Sequence, residues 1–145
     1  MPRPIKIEFV NRARGAALDP LGIAQTLRDA DRELKFSDRF DSVSVVFVTG
    51  EGIRTLKREW LGIDRETDVL SFPAGETPPG LPRPLGEIVL CPEYLAPRFP
   101  GAALPRRARQ LALHGVLHLL GFDHEADEGE MNRLEKKLRR RLGLG

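Results

Sequence analysis

The chain has 145 residues, of which 41% are hydrophobic and 30% charged; this suffices for a core within one domain spanning 1–145 and excludes a disordered chain. A formal net charge of +2 permits an acidic partner without demanding one, and a single cysteine, Cys91, excludes an intrachain disulfide. No apolar run is long enough to span a bilayer and the first residues carry no apolar signal segment, so the expectation is a cytoplasmic protein with no membrane partner.

Residues 5–10 predict a short strand. Asp19-Pro20 predicts a helix start, with Asp19 as N-cap and the proline in the first turn; the helix runs through Leu21, Ala24, Leu27, Ala30 and Leu34. Residues 42–48, β-branched and aromatic, predict a second strand, and Thr49 can cap a helix over about 50–60. Residues 68–72 predict another strand, limited by Pro73. Residues 73–85 hold five prolines and two glycines and predict a stiff loop. A strand follows at 87–91, and Pro92 can start a short helix. A long helix is predicted over 105–120 with Gly121 as its stop. A last helix over about 127–142 places Met131, Leu134, Leu138 and Leu142 on one face.

All three histidines fall within eleven residues, His114-Gly-Val-Leu-His118-Leu-Leu-Gly-Phe-Asp-His124. His114 and His118 are one helical turn apart and stack on one face. Gly121 can take a positive φ, so the chain can turn back and bring His124 to the same ion. Three imidazoles suit Zn²⁺ and leave its fourth position open to a water, which the metal can activate near neutral pH. The helix is apolar almost all round between Leu111 and Leu120, with Arg107 and Gln110 on the histidine side. The plain alternative is a set of core histidines satisfied by carbonyls. Asp123 is placed either to orient a ligand imidazole or to cap the turn.

The spacing matches the zinc-protease pattern H-E-x-x-H-x-x-G-x-x-H except at Gly115, where those enzymes carry the glutamate that serves as general base. A peptidase would have to recruit Glu87 or Asp68. Phosphodiester cleavage depends more on charge neutralisation and Lewis acidity, which moves the balance toward phosphate chemistry.

The same histidine segment resembles the signature of the YbeY family of bacterial rRNA-maturation factors, roughly H-G-x-L-H-L-x-G-[YF]-D-H. Leu56, Trp60, Gly62 and Asp64, followed by residues 67–73 (Thr-Asp-Val-Leu-Ser-Phe-Pro), resemble a second family segment, and residues 86–91 (Gly-Glu-Ile-Val-Leu-Cys) a third. The resemblance implies an α+β fold, a small mixed sheet packed with helices around a central zinc-binding helix. It implies one Zn²⁺ per chain on His114, His118 and His124. It also implies a single-strand-specific endoribonuclease acting in 16S rRNA 3′-end maturation and ribosome quality control, with rRNA and the small ribosomal subunit as partners. One position departs: where the family has an arginine thought to assist cleavage, this chain has Leu61, with Arg58 or Arg65 as nearby substitutes. Two other readings stand beside the nuclease: a metal-stabilised assembly factor with weak or no nuclease activity, and a zinc peptidase with a displaced base.

Arg106, Arg107 and Arg109 form one basic group and are read as phosphate contacts, with Arg107 and Arg58 as substrate-binding candidates. Lys136, Lys137, Arg139, Arg140 and Arg141 form another, read as a solvated helix end because Glu128, Glu130 and Glu135 share that helix. Trp60 is a candidate for base stacking, though a lone tryptophan at a helix end is more often core. Cys91 reads as a buried structural thiol.

Overall fold

The computed structural model describes residues 4–15, 17–61, 69–123 and 125–145, with no side chain described for Leu61. Four strands, β1 (Lys6–Asn11), β2 (Ser42–Phe47), β3 (Val69–Pro73) and β4 (Pro84–Leu90), form one sheet in the order β1-β2-β4-β3. β1, β2 and β4 run parallel, and β3 pairs antiparallel to β4 at the edge. The helices are α1 (Pro20–Leu34), α2 (Gly50–Leu56), α3 (Pro92–Leu95), α4 (Ala103–Leu119) and α5 (Glu130–Arg141). The sheet is therefore mixed and the fold α+β, as the family resemblance implied.

Strand alternation divides the apolar residues between two faces. In β2, Val43, Val45 and Phe47 join the main core with α1, α4 and α5, while Val46 turns to the other face. That second face is smaller and packs Val46, Val48, Leu70, Val89 and Cys91 against Ile53 of α2. Cys91 is fully buried, which agrees with a structural thiol. The long helix α4 buries Ala108, Leu111, Ala112, Leu113, Val116 and Leu117 and lies between α1 and the sheet.

Two features explain why α4 sits where it does. Gly115 faces the β3–β4 pair so closely that a Cβ there would meet Ile88 Cγ2 at 2.9 Å and Ser71 Oγ at 3.1 Å. Gly121 then ends the helix at φ 99°, with its N–H donating to the His118 carbonyl at 3.0 Å and the Phe122 N–H to the Leu117 carbonyl at 3.1 Å. This paired closure satisfies the last carbonyls of the helix and turns the chain away.

Local expectations were met or corrected as follows. Thr49 Oγ1 accepts from the Gly52 N–H at 3.0 Å and caps α2, but the helix widens into a π-helical turn over Lys57–Leu61. Asp19 precedes α1 without capping it through its side chain. It takes φ 45°, and its carboxylate accepts from Arg109 Nε at 2.7 Å. Leu21 is on α1 but 86% exposed, and the buried stripe is Ile23, Thr26, Leu27 and Ala30. Among the described residues no helix is long and apolar enough to cross a membrane.

Candidate metal centre

His114 and His118 project from one side of α4, at the boundary between core and solvent. Their Nε2 atoms are 3.0 Å apart and their rings meet edge to face, with centroids 4.6 Å apart. The pairing follows from the helical spacing, which the apolar remainder of α4 fixes against the sheet and α1. His124 lies outside the described residues, so two of the three proposed donors are on view. Among the described residues no group of three His, Cys, Asp or Glu side chains is assembled.

A carboxylate that sequence reasoning did not assign completes the arrangement. Glu135 of α5 lies 2.6 Å from His114 Nδ1 through Oε1, and its Oε2 accepts from Arg139 Nη2 at 2.5 Å. Glu135 is only 8% exposed. Burial pushes its carboxyl up, but the hydrogen bond and charge of His114 and then Arg139 outweigh it and leave the pKa below the ordinary value. A carboxylate at Glu135 can only accept from His114 Nδ1–H, and Nε2 is the ring nitrogen that faces His118. A carboxylate behind a histidine is the usual support for a metal-ligating imidazole. Two Zn–N bonds of about 2.0–2.1 Å at the tetrahedral angle separate the nitrogens by about 3.3–3.4 Å. The observed 3.0 Å is within a few tenths of that spacing. The donor pair and its support therefore fit a zinc-like cation.

Glu135 was read as a solvated charge, yet it sits between Met131 and Leu138 on the buried stripe of its helix. That position was the available signal, because a carboxylate on an apolar stripe needs a partner. Asp123, the other candidate carboxylate, is exposed and caps its turn, accepting from the Glu125 N–H at 3.0 Å.

The arginines separate. Arg109 is held by Asp19, and Arg106 donates to the Gly145 carbonyl, so both read here as structural rather than as free phosphate contacts. Arg107 is partly buried, its guanidinium over the Phe99 ring and its Nη1 3.4 Å from Gln110 Oε1. Arg58 is exposed on the π-helical turn, while the Leu61 side chain, Arg65 and Asp68 lie outside the described residues. In α5, Arg139 and Arg141 pair with Glu135 and Glu33, and Lys136, Lys137 and Arg140 are exposed, in keeping with a mainly solvated end. Of the two readings of Trp60, the core one does not hold: it is 69% exposed, with Phe72 edge-on at 6.2 Å. Glu87 is paired across the strands with Phe72, whose ring joins the α2-side core, while Ile88 faces α4. Glu87 is therefore on the far face of the sheet from the histidines and cannot act as their general base.

An α+β domain with a mixed four-stranded sheet and a helix presenting paired histidines is the class these observations define. The chain belongs to the family described as Endoribonuclease YbeY, whose model matches residues 20–143. Relatives named "Endoribonuclease YbeY" include one from Nitrobacter hamburgensis, 42% identical over 118 residues, covering 74% of this chain and 62% of the relative. Another, from Anaeromyxobacter dehalogenans, is 43% identical over 106 residues, covering 70% of this chain and 54% of the relative. A third, from Sulfurovum, is 38% identical over 128 residues, covering 84% and 79%. The chain thus spans between half and two thirds of the length of the first two. The solution structure of TM1509 from Thermotoga maritima is similar in fold, with a TM-score of 0.54 at 27% identity, covering 92% of this chain and 89% of that one.

Proposed function

We propose that this chain is a zinc-dependent endoribonuclease that cuts single-stranded rRNA, in 16S 3′-end maturation and ribosome quality control within the cytoplasm. The observation that carries the reading is the His114–His118 nitrogen pair backed by a buried, ionised Glu135. Family membership supports the nuclease class, and the histidine motif supports the metal.

In this reading His114, His118 and His124 hold the ion. Bound Zn²⁺ would supply Lewis acidity toward a phosphoryl oxygen and lower the pKa of a coordinated water. The chain's own residues do the rest. Glu135 holds the proton on His114 Nδ1 and fixes the ring. The apolar back of α4 keeps water from behind the imidazoles. Arg107 and Arg58 are the proposed contacts to the RNA backbone.

The peptidase reading loses support on two counts. Glu87 is on the wrong face, and position 115 points into the sheet, so a base cannot be supplied from either. A metal-stabilised assembly factor is favoured by one specific feature, Leu61 at the position of the family arginine. Purified protein incubated with single-stranded RNA separates the two. Chelator-sensitive cleavage that His114→Ala abolishes supports the nuclease. Stoichiometric zinc and small-subunit binding without cleavage would move the assignment to the assembly factor. A protein binding no zinc would end both. Leu61→Arg is expected to raise cleavage by about 10-fold or more if an added cation stabilises charge at the scissile phosphate.

A further inference from the structure

Trp60 is the chain's only tryptophan, and its ring is 69% exposed. It is nevertheless not loose. Phe72 meets it edge to face, with centroids 6.2 Å apart and planes at 70°, and Phe72 itself is half buried in the α2-side core. The indole is therefore oriented from one side and open on another.

Its position links it to the histidines. Phe72 follows Ser71 on β3, whose hydroxyl donates to the Gly115 carbonyl at 3.2 Å, and Gly115 follows His114. The aromatic pair and the histidine pair thus lie on opposite faces of one edge strand. Arg54 and Arg58, four residues apart and exposed, form no ion pair among the described residues.

We propose that Trp60, braced by Phe72, is a stacking surface for an unpaired RNA base, with Arg54 and Arg58 taking the flanking phosphates. This rests on the RNA reading above and adds where the strand is gripped outside the metal centre. An aromatic ring accepts any base, so the surface selects unpaired RNA over duplex without reading sequence.

Because Trp60 is alone, its fluorescence reports on this one surface. The test titrates the zinc-loaded 145-residue chain with an end-labelled oligoadenylate of about twelve nucleotides, within the usual span of single-strand sites. Indole emission follows stacking and label anisotropy follows binding. The expected result is saturable quenching by oligoadenylate but not by an abasic chain of equal length or by duplex RNA. Trp60→Ala should bind about 5- to 100-fold more weakly, and Trp60→Phe should keep most of the affinity. Equal binding by wild type and Trp60→Ala, with unmoved emission, would overturn the stacking surface while leaving the RNA reading intact. Emission that shifts with protein concentration alone would assign the indole to contact between copies and overturn it too. Absence of RNA binding by anisotropy would bring down the RNA reading and the surface with it.

Discussion

At the scale of single residues, the decisive group is Glu135. It is buried, ionised and shared between His114 and Arg139, so each partner depends on it. Glu135→Gln keeps the shape but loses the charge. Zinc affinity, read by competition with a chromophoric chelator, should fall about 10- to 100-fold. The urea midpoint of the metal-free protein should also fall, by a loss of about 1.5–3 kcal/mol. A variant with unchanged zinc affinity would show that the carboxylate plays no part in holding the ion. The meeting of His114 and His118 was legible in the sequence because residues four apart share a helix face. Glu135 was not, because its role depends on how α5 docks on α4, and no local pattern encodes that contact. For Trp60 the core alternative failed: hydrophobicity argues for burial, whereas its place on a π-helical turn, with only Phe72 edge-on against it, leaves it outside.

At the scale of elements, α4 does two jobs with two faces. One face carries the histidines; another lies on β3 and β4 at a distance only glycine allows. Gly115→Ala puts a methyl against Ile88 and Ser71. Overpacking of this kind costs about 1–3 kcal/mol, and the better helix propensity of alanine returns about 1. The expected net loss is up to about 2 kcal/mol by urea unfolding, and a variant of raised stability would refute the close packing. The same geometry explains why the protease glutamate is missing: a side chain at 115 would run into the sheet, not the cleft. The extents of α4 and β2 were readable from periodicity and from Gly121, whereas β4 begins at Pro84, inside the stretch whose prolines argued for a loop. The reversal of β3 was not readable, since the pairing partner and direction of an edge strand are tertiary choices. Asp19 looked like a cap for α1 and instead became the anchor of Arg109, a contact across 90 residues of sequence.

At the scale of the whole molecule, the net charge of +2 limits how RNA can be held. With Arg106 and Arg109 engaged by Gly145 and Asp19, the proposed phosphate contacts are few and local. Binding to about three to five phosphates should give a slope of log K against log salt of roughly −2 to −3.5. A slope near −7 or steeper, measured by anisotropy between low and moderate salt, would mean that a much larger basic surface is engaged. The order of events along the chain adds a last constraint. The brace for His114 is encoded 21 positions after it, on the final helix. A polypeptide made from its N-terminus therefore displays its histidine helix before the brace exists. A chain that stops ahead of α5 lacks the carboxylate on His114 Nδ1 and leaves that face of α4 uncovered.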